Sequence, residues 1–136
     1  MTSSTEDDAT VADTSAAAVT AALEAFNDRR WDDFLAAYAS DAVVEYPQSG
    51  ERIAGKTNIL GLVKAFPAPP RFQPTRIHRA VDTVVVEVEA DYGDGVPWSG
   101  VFIYRVADGS ITHERAYFAA PFEAPDWRAP FRGEPA

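Results

Sequence analysis

Glu114 is the residue in this sequence best suited to moving a proton. It sits in ITHERAYFA, where a period of two puts Glu114, Ala116 and Phe118 on one face of a strand, so a single carboxyl stands in an otherwise apolar row. A carboxyl held among apolar side chains has its charged form disfavoured. Its pKa rises towards neutrality, which suits general acid or base work. Tyr46, closing AVVEY, and Tyr104, in VFIYRV, offer hydroxyls that can hold or polarise a ligand oxygen, and Tyr38 and Trp98 are further polar groups available to the same interior. Each of these residues also has a purely structural reading. Glu114 can pair with Arg105 or Arg115, or meet water at a rim, and a buried tyrosine serves as core once its hydroxyl is satisfied.

The two histidines offer less. His113 falls by parity on the outer face opposite Glu114, with Arg115 and Tyr117, and His78 falls on an edge strand. Neither has a carboxylate or second histidine at ligand spacing, so a metal site is not expected. Gly55-Lys56-Thr57 and Gly93-Asp94-Gly95 lack the spacing of a phosphate loop and read as turns. The acidic set Glu87, Glu89 and Asp91 reads as a solvated or interface-facing stripe able to pair with Arg115 across strands.

Composition narrows the classes further. A net charge of −9 with twelve scattered Lys and Arg excludes a phosphate-backbone partner, so no nucleic acid is expected. Without cysteine there is no disulfide framework, thiolate nucleophile or zinc–thiolate site. The opening MTSSTEDDATVADTS lacks the basic and apolar regions of a signal peptide, and no apolar run spans a membrane, so the chain reads as soluble and cytoplasmic.

These residues need elements to position them. Residues 1–13 have almost nothing to bury and read as a disordered acidic tail. Val19, Ala22, Leu23 and Phe26 recur at helical spacing, with Thr14 or Ser15 able to cap the start. Trp31, Phe34, Leu35 and Tyr38 repeat that spacing in a short second helix, with Asp32 and Asp33 in its first turn. Ala42–Tyr46 reads as a strand halted by Pro47, residues 48–54 as a loop, and Ile59, Leu62, Val63 and Phe66 as a third helix stopped by Pro67. Four strands follow. Arg71–Ala80 is an edge, Thr83–Tyr92 alternates apolar Val84, Val86, Val88 and Ala90 with acidic residues, and the last two strands form a hairpin about Asp108-Gly109 that places Phe102, Tyr104 and Val106 on one face. Residues 121–136 hold too many prolines for a helix or central strand, yet keep Phe122, Trp127 and Phe131, and read as an extended tail packed on the body through its aromatics. The order implies an α+β domain over 14–120, a cone-shaped curved mixed or antiparallel sheet with three helices on its concave face, enclosing a pocket.

The helices, then DAVVEYPQSGERIAGKTNI, then GVFIYRVADGSITHERAYF, resemble the nuclear-transport-factor-2-like superfamily, in particular its SnoaL-like branch, which also holds ketosteroid isomerase and limonene epoxide hydrolase. The resemblance implies a homodimer and a deep, mostly apolar small-molecule pocket without metal or organic cofactor. Position by position, the best-known chemistries of that superfamily are not matched. The isomerase's catalytic aspartate corresponds to Tyr46, and its oxyanion-hole tyrosine and acid fall near Ala22 and Phe102. The hydrolase's arginine and two aspartates fall at about Val88, Ala90 and Ala116. A slip of one residue would instead turn Glu87 or Glu89 inward.

What remains is a small apolar ligand or substrate bearing oxygen, with Glu114 and Tyr46 as catalytic candidates. Tyr104, Phe102, Tyr38, Trp98, Phe26, Val88, Ala116 and Phe118 are the expected ligand contacts. An isomerase or cyclase-type proton transfer is the leading reading. A non-catalytic carrier, or a structural dimer with a filled core, is the alternative.

Overall fold

Two helices open the chain, α1 (Ser4–Asn27) and α2 (Trp31–Ala36), followed by β1 (Tyr38–Tyr46), β2 (Glu51–Ala54) and α3 (Lys56–Ala65). Four strands complete the sheet in the computed structural model, which describes residues 4–135: β3 (Arg71–Arg79), β4 (Thr83–Asp91), β5 (Pro97–Ala107) and β6 (Ser110–Ala119). The strand order is β2-β1-β6-β5-β4-β3, antiparallel throughout except for the β1–β6 pair, so the sheet is mixed and the two edges are β2 and β3. The helices lie on its concave side. No helix among the described residues is long and apolar enough to cross a membrane.

The β5–β6 hairpin turns on Asp108 and Gly109, whose φ values of 51° and 77° give the two-residue turn that the Asp-Gly pair predicts. Its register sets Tyr104 opposite Glu114 and Phe102 opposite Ala116, so the apolar row and the carboxyl share one face. On β4 the alternation resolves as expected. Val84, Val86, Val88 and Ala90 are buried beneath α1, whereas Glu87 and Glu89 turn outward, which rules out a register slip. Small residues on α1, Ala22 and Ala25, let the helix approach the sheet closely, while Val19, Leu23 and Phe26 fill the space between.

Five expectations are corrected. Helix α1 begins at Ser4, so the described part of the 1–13 segment is helical; residues 1–3 lie outside the described residues. Ala and Thr carry the helix outward with acids near its positive end, but residues 7–10 remain exposed because nothing there is apolar enough to pack. Thr14 and Ser15 accordingly cap nothing: Thr14 bonds back to the Thr10 carbonyl at 3.0 Å, and Ser15 reaches the Val81 carbonyl at 3.3 Å.

Tyr38 belongs to β1 rather than to α2, which ends at Ala36. The 48–54 segment is only partly loop. Gly50, at φ 77°, closes a turn in which its N–H reaches the Tyr46 carbonyl at 2.9 Å, and β2 then pairs back along β1. The C-terminal aromatics do not pack on the body. Asp126–Phe131 forms a short 3-10 helix, and Phe122, Trp127 and Phe131 are 77%, 71% and 83% exposed.

Candidate functional site

Between helices and sheet lies a cavity of about 410 Å³, a size that accommodates a small organic ligand. Its apolar wall comes from every layer: Phe26 of α1, Phe34 of α2, Val63 of α3, Phe72 of β3, Phe102 of β5 and Phe118 of β6. Phe72 is central to that wall. Its ring meets those of Phe26 and Phe102 at 5.0 Å each, and it is held there by Asn27, whose side-chain amide both donates to the Phe72 carbonyl and accepts from the Phe72 N–H, each at 2.8 Å.

Glu114 projects into this apolar space and is 9% exposed. Its neighbour is Tyr38, whose hydroxyl donates to Glu114 Oε1 at 2.5 Å; Oε2 has no hydrogen-bond partner among the described residues. The arginine pairing considered from sequence does not form. Arg105 and Arg115 turn to the opposite face, and Arg115 lies 3.5 Å from Glu45 instead of meeting the Glu87 stripe. Burial pushes the Glu114 carboxyl up to about 7, with the Tyr38 hydrogen bond opposing that rise. Near neutral pH both of its protonation states are populated.

Three tyrosines surround the carboxyl. Burial pushes the hydroxyls of Tyr38 and Tyr104 well above their ordinary range, and that of Tyr46 upward as well, with the adjacent Glu114 charge adding to each shift. All three therefore stay protonated as donors. Tyr38 spends its proton on Glu114, whereas the Tyr46 and Tyr104 hydroxyls make no hydrogen bond to any described residue and line the cavity. No Lys, Arg or His side chain among the described residues lines it. Among the described residues, no group of three His, Asp or Glu side chains is arranged to hold a metal ion.

The expected contacts Phe26, Tyr38, Phe102, Tyr104, Ala116 and Phe118 all line the cavity, as do the catalytic candidates Glu114 and Tyr46. Val88 and Trp98 do not, and both assignments are corrected. Val88 is 4% exposed and packs against β5 at Gly100, while Trp98 lies further along β5, its ring 5.6 Å from that of Tyr92. Alternation identifies the face of a strand but not the distance along it.

Sequence reasoning missed the mouth. Gln48, Ser49 and Glu51 line it from the β1–β2 connection, where Gln48 Oε1 accepts the Phe118 N–H at 2.7 Å and Ser49 donates to Glu51 at 2.6 Å. The polar character of PQSGE is the only signal, and it is shared by any surface turn. The histidines stand outside the site. His113 Nε2 lies 3.1 Å from Glu45 on the outer face, within ion-pair range but off the angle of a hydrogen bond, and His78 bonds Glu87 at 2.8 Å. Ala22, Phe102, Val88, Ala90 and Ala116, the positions that the sequence resemblance aligned with the isomerase's tyrosine and acid and with the hydrolase's arginine and aspartates, are buried and apolar.

The chain matches the family described as SnoaL-like domain over residues 19–114. Among solved structures it resembles an NTF-2 like protein of unknown function from Burkholderia xenovorans LB400, 33% identical with a TM-score of 0.80, covering 91% of this chain and 97% of that one. A proposed ketosteroid isomerase from Kribbella flavida DSM 17836 is 26% identical with a TM-score of 0.85, covering 92% and 93% respectively. An LEH-like epoxide hydrolase from M. tuberculosis is 26% identical with a TM-score of 0.68, over 79% of this chain and 84% of that one. No match is found among curated proteins.

Proposed function

We propose that this chain, which belongs to the SnoaL-like domain family, binds a small apolar, oxygen-bearing molecule and catalyses a proton transfer on it of the isomerase or cyclase type. One observation carries this reading: a buried carboxyl poised at about 7 shares an aromatic cavity with two tyrosine hydroxyls that have no hydrogen-bond partner among the described residues. Glu114 Oε2 takes a proton from a carbon adjacent to a carbonyl. The electron pair of the broken C–H bond forms a new C=C bond and the carbonyl π pair moves onto oxygen, where Tyr46 and Tyr104 donate hydrogen bonds to the developing enolate. In a substrate with a C=C bond beyond that carbon, the enolate is a dienolate. The Glu114 carboxyl then returns its proton to a different carbon of the same system. The product is an isomer of the substrate, with every atom retained.

The test has two stages. Thermal-shift screening against steroids, terpenoids and aromatic polyketides identifies ligands, since binding to the native state raises its melting temperature. Ketones that bind are then followed by proton NMR in D2O for exchange at the carbon next to the carbonyl. Wild type is expected to accelerate exchange, and Glu114→Gln to lose roughly 10²- to 10⁴-fold of the rate while still binding the ketone. An undiminished rate in Glu114→Gln removes the acid–base reading. Binding without exchange in wild type favours the carrier instead.

A further inference from the structure

The polar groups of the cavity are not all at its inner end. Gln48 lines the mouth from the turn after β1, where it meets the backbone of Phe118, four residues along β6 from Glu114. Its amide has a fixed orientation, because the group it meets is the Phe118 N–H, a donor, which at 2.7 Å claims Oε1. Nε2 is therefore the end left over, and it makes no hydrogen bond to any described residue. Ser49, beside it, has already directed its hydroxyl to Glu51. Among the described residues, the Gln48 NH2 group is thus the side-chain donor at the mouth left uncommitted.

We infer that Gln48 is a specificity-determining residue, and that the ligand carries a hydrogen-bond acceptor at its outer end as well as its inner one, with no negative charge on either. At the inner end Tyr46 and Tyr104 are also donors without partners, so both ends call for an acceptor such as a carbonyl or ether oxygen. The charge requirement follows from the lining. Among the described residues it contains two carboxyls, Glu114 and Glu51, and no cation, so an anion would be desolvated with nothing to balance it. Between the ends the wall is aromatic and aliphatic and accepts an uncharged apolar body. This inference rests on the ligand-cavity part of the proposed function, but not on proton transfer.

Three probes sharing one rigid body separate the possibilities: para-acetylbiphenyl, its para,para-diacetyl analogue, and the analogue in which the second acetyl is a carboxylate. Dissociation constants are measured by calorimetry on the full chain. Wild type is expected to bind the diacetyl probe about 3- to 10-fold more tightly than the monoacetyl one, the range a net hydrogen bond supplies, and the carboxylate more weakly than either. Gln48→Leu should erase the diacetyl advantage and leave monoacetyl affinity in place. Gln48→Glu keeps an acceptor for the Phe118 N–H while deleting the NH2 donor, and should erase the advantage too. If either variant retains the wild-type ratio, or if the carboxylate binds best, the inference is overturned while the ligand cavity stands. If neither neutral probe binds wild type, the cavity reading falls and the inference with it. Circular dichroism melts of both variants confirm the fold; Gln48 is exposed, so no large change is expected.

Discussion

Tyr38, the first residue of β1, donates its hydroxyl to Glu114 Oε1 in the middle of β6 at 2.5 Å. A shift in register makes this reach possible. Tyr38 pairs with Ile111 and Val43 with His113, so β1 carries extra residues between those two points and the tyrosine is brought back over the sheet towards the carboxyl. The bond favours the charged form of Glu114, whereas burial disfavours it.

Replacing Tyr38 with Phe removes the favourable contribution and leaves the burial. The Glu114 pKa is expected to climb above its value of about 7, and the protein to lose about 1–3 kcal/mol, the usual consequence of stranding a buried hydrogen-bonding group. Carboxyl carbon NMR of the variant reads the first effect and urea unfolding the second. An unmoved Glu114 titration would show that the tyrosine does not tune it.

Glu114 also gives stability a pH dependence of unusual sign for a carboxyl. Its folded pKa of about 7 lies above the ordinary value of 4.5, so between those limits the native state holds more of the proton than the unfolded chain does. Stability from this group is then fully present below about pH 4.5, declines as pH rises to about 7, and is flat beyond. The span is worth about 3 kcal/mol, from 1.36 kcal/mol for each pKa unit. Glu114→Gln cannot ionise. The difference in unfolding free energy, variant minus wild type, is expected to grow in favour of the variant between pH 5 and pH 8, as followed by urea denaturation across that range.

The faces of the central strands were legible in the sequence because alternation is a property of the backbone itself. Phe102 and Ala116 stand opposite one another, as do Tyr104 and Glu114, on the row that the period of two assigns to the interior. Distance along a strand is set by where the helices end, and so Val88 and Trp98 fell on the right strands but outside the cavity. Tyr38 fitted the helical spacing of Trp31 and Phe34 equally well, and only the pairing of β1 with a strand more than seventy residues away decides against the helix. Side chains that bond to distant backbone, such as Gln48 to Phe118 and Asn27 to Phe72, leave no periodic trace at all. The exposed Phe122, Trp127 and Phe131 mark the converse limit, since apolar character predicts burial but these three rings stand out from the body.

Asn27 substitutes for a neighbouring strand. Its amide meets both the N–H and the carbonyl of Phe72 at the free edge of β3, and Arg29 reinforces the junction by donating to the carbonyls of Pro69 at 2.5 Å and Pro70 at 3.0 Å. Asn27→Ala is expected to lower stability by about 1–3 kcal/mol, since it unpairs two backbone groups that are partly buried. The same variant should weaken ligand binding, because Phe72 forms part of the cavity wall. Asn27→Asp, which retains the acceptor and loses the donor, is expected to fall between wild type and Asn27→Ala. Equal melting temperatures for all three would show that the clasp contributes nothing.

Gly100 tests whether the cavity wall has room to yield. It lies buried in β5, and a methyl group at its Cα would sit 2.9 Å from Val88 Cγ2 and 3.1 Å from the Phe118 ring. Valine is branched at Cβ and has little freedom to move aside, so Phe118 is the side that must give. The ring already lies 5.5 Å from Phe102, and displacing it directs it towards the cavity space. Gly100→Ala is therefore expected to cost about 1–3 kcal/mol through overpacking and, separately, to weaken binding of ligands that fill the cavity more than of short ones. Melting curves with a matched long and short ligand distinguish the two effects. A destabilised variant with an unchanged long-to-short affinity ratio would mean that Phe118 moves away from the cavity rather than into it.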